Sequence, residues 1–154
     1  MIQAEGIFAE GIFAGGATKP YIEEIYDSDG NLIDVKLYGY TKIRDSAFYG
    51  CGNLALTSLP EGITSIGQYA FGSCTNLALT SLPEGITSIG YYAFAHCTGL
   101  TSLTFLGTPT SIASSAFQNC TNLTTIKVPW AEGAVANAPW GAANATIHYN
   151  YTGG

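Results

Sequence analysis

The middle of the chain is built on one spacing, because the same residue types return every 23 positions. The repeated unit reads I-x-x-x-A-F-x-x-C-x-x-L and occurs four times without an insertion or a deletion. Its members are Ile43, Ile66, Ile89 and Ile112; Ala47, Ala70, Ala93 and Ala116; Phe48, Phe71, Phe94 and Phe117; Cys51, Cys74, Cys97 and Cys120; and Leu54, Leu77, Leu100 and Leu123. A strict period of this length is typical of a solenoid.

A 23-residue coil cannot bury its apolar side chains alone, whereas stacked coils share one continuous core. We therefore predict a mainly β repeat solenoid of four coils, with equivalent residues above one another at about the 4.8 Å strand spacing. Such a short stack needs a cap at each end, because an uncapped end would expose a layer of core.

Each coil is predicted to contain two short extended pieces and one tight turn. Leu103 and Phe105 alternate as in a strand, and the T-S step between Ile86 and Ile89 predicts a second extended piece. Apolar residues three apart in A-F-x-x-C-x-x-L suit a 3₁₀ or short helical turn. Proline recurs at one phase, as at Pro83, and should end the first strand because it lacks an N–H group.

The first two coils depart from this pattern. They read LALTSL, with Thr57 and Thr80 at the phase of Leu103, and with Leu56 and Leu79 one residue earlier. Either a local bulge keeps these two leucines buried, or they face outward as an apolar strip for a partner.

The chain divides into four segments. Residues 20–42 contain two alternating runs around Asp27-Ser28-Asp29-Gly30 and predict a hairpin cap. Residues 43–129 hold the repeats, and residues 130–154 predict a C-terminal cap with a closing strand and tryptophans over the last coil. Residues 1–19 contain AEGIF twice in tandem and are either a flexible tail or a peptide that docks the chain into a larger assembly. The candidate docking residues are Ile7, Phe8, Ile12 and Phe13.

Composition excludes several classes of function. The 5 basic and 11 acidic residues give a net charge of −6, whereas a nucleic-acid protein needs a basic face against phosphate. The sequence contains no run of 18 apolar residues, so we expect no membrane insertion. It also lacks a basic n-region followed by an apolar core, so we expect no secretory signal. Charged residues are only 10% of the chain, so few side chains are available for catalysis.

The cysteines and histidines do not form a recognisable site. A zinc site requires close pairs such as C-x₂-C, whereas every cysteine gap is 23 residues. A ladder of buried free thiols is favoured over stacked disulfides. His96 adjoins Cys97, but its phase is occupied by glycine, serine or asparagine in the other coils, which indicates a surface histidine. We expect no metal, no cofactor and no enzymatic activity.

The most variable positions flank the A-F pair. Coils 53–75 and 76–98 match at 20 of 23 positions and differ only at Gln68/Tyr91, Gly72/Ala95 and Ser73/His96. Tyrosine mixed with serine, glycine and asparagine resembles the composition of antibody paratopes. Either these positions form one recognition surface, or they vary because an exposed face is unrestrained. The candidate binding residues are Tyr49, Gln68, Tyr69, Tyr91, Tyr92 and His96.

The repeat resembles the BspA-like, or Treponema pallidum-type, leucine-rich repeats, whose pattern is close to L-x-x-I-x-I-P…I-x-x-x-A-F-x-x-C. The resemblance covers about residues 37–129 and implies a right-handed solenoid with a strand-lined concave face. It implies a non-enzymatic module for adhesion, binding a protein or a cell-surface glycan.

The near-identical LALTSLPEGITSIG blocks also resemble small repeat proteins of gut bacteria and their phages. Three roles follow as expectations: host or cell-surface recognition on a phage tail or virion, a structural virion component docked through residues 1–19, or an intracellular bacterial scaffold. The expected location is the virion or the extracellular space without a Sec signal, and the alternative is the cytoplasm.

Overall fold

Residues 20–153 form a β-solenoid of about five turns in the computed structural model, which describes that part of the chain. The strands are β1 (Tyr21–Tyr26), β2 (Leu32–Tyr38), β3 (Lys42–Ile43), β4 (Ser65–Ile66), β5 (Ser81–Leu82), β6 (Ser88–Ile89), β7 (Ser102–Phe105), β8 (Ser111–Ile112), β9 (Thr125–Lys127) and β10 (Thr146–His148). Strands β1 and β2 form an antiparallel hairpin, and the others form two parallel four-stranded sheets along the stack, in the orders β10-β9-β7-β5 and β3-β4-β6-β8. The predicted repeat solenoid is confirmed.

The repeat period sets the strand register. Ser65 pairs with Ser88, and Ser88 pairs with Ser111, each one period apart. On the other sheet, Leu82 pairs with Phe105 in the same way. Both predicted extended pieces of the coil are therefore strands, and the first ends at Leu82, immediately before Pro83.

The A-F-x-x-C segment is a series of tight turns, and residues 20–153 contain no helix. Its backbone N–H groups alternate between two kinds of acceptor. The N–H of Phe71 donates to the carbonyl of Ala93 in the next coil at 2.7 Å, whereas the N–H of Cys74 donates to Phe71 in its own coil at 3.1 Å. The turn therefore belongs to the stack and could not extend into a helix, because half of its donors serve the neighbouring coil.

The core is a ladder of identical side chains. Phe48, Phe71, Phe94 and Phe117 are fully buried, and their rings stack at centroid distances of 5.3, 5.4 and 5.2 Å. Interplanar angles of 16°, 5° and 4° show that the rings lie nearly parallel. Each aromatic pair adds about 0.5–1.5 kcal/mol beyond the burial of its area.

The cysteines form a second ladder beside the phenylalanines, and all four are free thiols. Cys74 donates its S–H to the carbonyl oxygen of Phe48 at 3.1 Å, and Cys97 and Cys120 repeat this contact one and two coils further on. The repeat predicts a core position for the cysteine of every coil. Cys51 departs from this, because it is only half-buried in the first coil, beside the hairpin.

The irregular leucines of the first two coils are buried. Leu56 is 6% and Leu79 is 2% exposed, whereas Thr57 and Thr80 face solvent. In these two coils the inward-facing position is therefore one residue earlier than that of Leu103, although the coil length is unchanged. The alternative of an outward apolar strip at these leucines is therefore wrong.

Both ends of the stack are covered. At the start, the antiparallel pair β1–β2 buries Val35 and Leu37, and Ile33 accepts a hydrogen bond from the N–H of Ala55 at 2.9 Å. At the other end, Trp140 is fully buried and its carbonyl accepts the N–H of Phe117 at 2.8 Å. Residues after Pro129 thus complete an irregular fifth turn, which closes with β10 parallel to β9.

The buried leucine ladder allows a matched test of stability. Leu77 is fully buried and Leu106 is 56% exposed. Leu77→Ala should lower the free energy of unfolding by about 2–5 kcal/mol, because it leaves a cavity between coils. Leu106→Ala should change it by less than about 0.5 kcal/mol. Urea unfolding of both variants measures the difference, and similar losses would contradict the stacked core.

The buried thiols predict a loss of stability at alkaline pH. Desolvation raises the pKa of Cys74 from 9.0 to about 12 and that of Cys120 to about 11, and it raises the pKa of Cys97 as well. Above pH 9 the unfolded chain releases protons that the folded chain keeps, so stability should fall as pH rises from 9 towards 11–12.

The measurement is urea unfolding at pH 8, 9 and 10. A variant with Cys74→Ala, Cys97→Ala and Cys120→Ala should lose less stability per pH unit than the unmodified chain over this range, because its remaining alkaline titration comes from other groups. An identical pH dependence in the two proteins would show that the thiols are not the cause.

Candidate functional site

The turns of successive coils place three tyrosines side by side on the surface. The rings of Tyr49 and Tyr69 meet edge to face at a centroid distance of 5.8 Å, and those of Tyr69 and Tyr92 stack at 5.0 Å with an interplanar angle of 14°. Tyr49 is 55% exposed, and Tyr69 and Tyr92 are each 37% exposed. We call these three residues the tyrosine row.

Two members of the tyrosine row have an unusual backbone. Tyr69 and Tyr92 have φ angles of 55° and 56°, in the left-handed region that a bulky residue seldom adopts. Each such residue costs about 1–2 kcal/mol and persists only because the surrounding structure enforces it. The N–H of Tyr69 donates to the carbonyl of Tyr91 in the next coil at 3.0 Å, so coil stacking fixes the conformation.

A glycine determines where the ring of Tyr49 lies. A Cβ atom added to Gly72 would lie 2.8 Å from Cδ1 and 3.0 Å from Cε1 of Tyr49. The ring therefore rests on the backbone of the second coil and reaches Tyr69. The next coil has Ala95 at the phase of Gly72.

The other candidate residues do not join this row. Tyr91 and Gln68 line a groove over the sheet β3-β4-β6-β8, although each directly precedes a member of the row. His96 is exposed on a further row, where its Nε2 lies 3.4 Å from Nδ2 of Asn119. The predicted single surface is thus divided among adjacent faces of the solenoid.

Sequence reasoning missed the groove, which has a volume of about 740 Å³. It lies over one sheet, so its residues come from the same phases in all four coils. Its polar and charged side chains include Lys42, Arg44, Asp45, Ser65, Ser88, Ser111 and Asn137. The serine that precedes the buried isoleucine in three of the four coils was the available signal, since strand alternation turns this serine outward when the isoleucine faces the core.

The candidate docking residues Ile7, Phe8, Ile12 and Phe13 lie outside the described residues. Within residues 20–153, histidine, cysteine, aspartate and glutamate form no group of three that could hold a metal ion. The described chain also has no helix of the length and hydropathy needed to cross a membrane. The Asp27 carboxylate accepts the N–H groups of Asp29 and Asn31, each at 2.9 Å, which makes this loop a hairpin turn.

The stack of 23-residue coils, with a buried leucine at the same phase of each, matches the solenoid of leucine-rich-repeat proteins. The family model of the BspA type leucine rich repeat region matches residues 41–133 in six copies. The chain therefore belongs to the BspA-type leucine-rich repeat family. This family is typically a non-enzymatic binding scaffold.

Two solved structures are similar to the chain. A leucine rich cell surface protein from Faecalibacterium prausnitzii A2-165 has 24% sequence identity and a TM-score of 0.53, over 88% of this chain and 44% of that chain. The Treponema pallidum leucine rich repeat protein has 22% identity and a TM-score of 0.47, over 84% and 79%. The first similarity supports the fold alone. A search of curated proteins found no match. None of these comparisons points to a phage particle or a virion.

The contact between Tyr49 and Gly72 gives a structural prediction. Gly72→Ala should displace the Tyr49 ring and separate it from Tyr69, because the new Cβ would occupy the ring's position. Aromatic side-chain chemical shifts in NMR spectra measure the change. Stability should change by less than about 1 kcal/mol, since the ring is free to turn outward to solvent. Unchanged shifts for Tyr49 and Tyr69 would contradict the contact.

Proposed function

We propose that this protein is a non-enzymatic adhesion module that binds a protein at a cell surface through the tyrosine row. The observation that carries the proposal is the arrangement of Tyr49, Tyr69 and Tyr92, three solvent-exposed rings in mutual contact on a rigid stack. Tyrosines are enriched among the residues that dominate binding energy at protein interfaces.

The row has the physical properties of a protein-binding surface. A tyrosine buries a large area at a small cost in side-chain entropy, and it offers a hydroxyl group to its partner. The stacking contact already restricts the side chains of Tyr69 and Tyr92. Binding of a partner therefore costs little further side-chain entropy at these two residues.

Two further observations support a role at a surface. BspA-type repeats suggest protein binding or surface adhesion, and the similar protein from Faecalibacterium prausnitzii is described as a cell surface protein. The outward phases of the repeat also carry few charges, which reduces the desolvation cost of forming an interface. These observations support an extracellular location as part of the proposal.

The test uses the full chain, labelled with a fluorophore, on intact bacterial and cultured epithelial cells in flow cytometry. We expect saturable binding to at least one cell type, and we expect trypsin treatment of the cells to abolish it. The double variant Tyr69→Ser, Tyr92→Ser should bind at least tenfold more weakly, because it removes the stacked centre of the row.

The chain offers a matched control in another stacked pair. Tyr21 and Tyr38 on the hairpin are 48% and 40% exposed, with ring centroids 4.5 Å apart and an interplanar angle of 19°. The double variant Tyr21→Ser, Tyr38→Ser should bind as the unmodified chain does. Equal losses in both double variants, or no saturable binding to any cell type, would contradict the proposal.

A further inference from the structure

The groove over the sheet β3-β4-β6-β8 is distinct from the tyrosine row. Its volume of about 740 Å³ lies within the range of about 300–1,000 Å³ that is usual for ligand sites. It crosses all four strands of the sheet, which at about 4.8 Å per strand spacing makes it an elongated channel along the stack.

The floor of the groove presents hydroxyl groups. Ser65, Ser88 and Ser111 occupy one register position in consecutive strands, while the isoleucine after each of them is buried. Within residues 20–153, none of these serine side chains has a hydrogen-bond partner. A hydroxyl both donates and accepts hydrogen bonds, so the floor suits a ligand that is rich in hydroxyl groups.

One wall of the groove combines an aromatic ring with polar groups. Asp45, Gln68 and Tyr91 share one repeat phase and line it in consecutive coils. Tyr91 is 56% exposed and its ring contacts no other aromatic ring of the described residues. A free apolar ring face beside amide and hydroxyl groups matches a sugar ring, which has one apolar face and a polar edge.

The repetition of these groups favours a linear polymer. The serine hydroxyl groups recur from coil to coil along the channel, so a chain of similar units lying along it meets a hydroxyl group at each step. The surface of an ordinary globular protein has no such periodicity. At the far end, Asn137 lines the groove and donates from Nδ2 to the carbonyl of Ile112 at 3.3 Å.

The end of the groove in the first coil carries two basic side chains. Lys42 and Arg44 line the groove there, and they are two of the five basic residues in a chain of net charge −6. Within residues 20–153 the ammonium group of Lys42 makes no hydrogen bond or ion pair. The nearby carboxylate of Asp45 is held by the backbone N–H of Gln68 at 2.8 Å. An ammonium group at the channel's end fits a ligand that carries a carboxylate.

We infer that this groove binds a linear acidic glycan chain. A sugar ring packs on Tyr91, hydroxyl groups bond to the serine floor, and a carboxylate of the glycan pairs with Lys42. This site is independent of the proposed protein-binding row, because the adjacent residues Tyr91 and Tyr92 belong to different faces.

The test is calorimetric titration of the full chain with oligosaccharides that contain uronic or sialic acid, with their methyl esters, and with neutral oligosaccharides. At least one acidic oligosaccharide should bind, its methyl ester should bind at least fivefold more weakly, and added salt should weaken the acidic form. Tyr91→Ala should reduce affinity at least tenfold. Lys42→Gln should remove the preference for the acid over its ester.

Two matched variants complete the experiment. Tyr92→Ala removes the neighbouring tyrosine of the row, and Lys36→Gln removes an exposed charge on the hairpin; both should bind the glycan as the unmodified chain does. The inference is overturned if no acidic glycan binds at millimolar concentration, or if Tyr91→Ala binds normally. It is also overturned if poly-glutamate binds with the same dependence on Tyr91 and Lys42 while the glycans do not. Cell binding that depends on Tyr69 and Tyr92 would survive each of these outcomes.

Discussion

Coils of equal length stack in a single register, and both the backbone hydrogen bonds and the buried core require that register. Within the A-F-x-x-C turn, backbone donors alternate between their own coil and the next, as Cys74 and Phe71 do. A single inserted residue would therefore break the contacts between coils as well as one turn. The same register stacks the phenylalanine rings and aligns the thiols, so the core and the backbone enforce each other.

The buried side chains that repeat in each coil stabilise the stack. The exposed positions contribute less to stability, so they can carry residues that serve binding. Tyr69 illustrates this division: its left-handed backbone is unfavourable locally, yet a hydrogen bond from its N–H group to the next coil maintains it. Ser46 adopts a similar φ of 59° at the same phase without an aromatic ring. The conformation is thus a property of the turn, whereas the tyrosines are additions to it.

Sequence periodicity predicts the repeated core positions, but it does not predict the structural features that occur only once. The ladders of Phe71 and Cys74 followed directly from the period, because equal spacing implies equal environments in a solenoid. The fifth turn was not predicted, since Trp140 replaces the A-F pair and no motif marks the coil. Nor could the pattern separate Tyr91 from Tyr92, because the direction of a side chain in a tight turn depends on φ. The groove follows from stacked strands rather than from any local motif.

The two surfaces belong to the same coils, and this has a consequence for binding. Gln68 and Tyr69, like Tyr91 and Tyr92, place one side chain in the groove and the next in the tyrosine row. A rigid coil fixes the distance between the groove and the tyrosine row. A molecule bound in the groove is therefore held at a constant distance from the row. Weak contacts made together gain avidity without any new interaction when both can engage at once. A glycan attached to a surface protein would offer both ligands to one short solenoid.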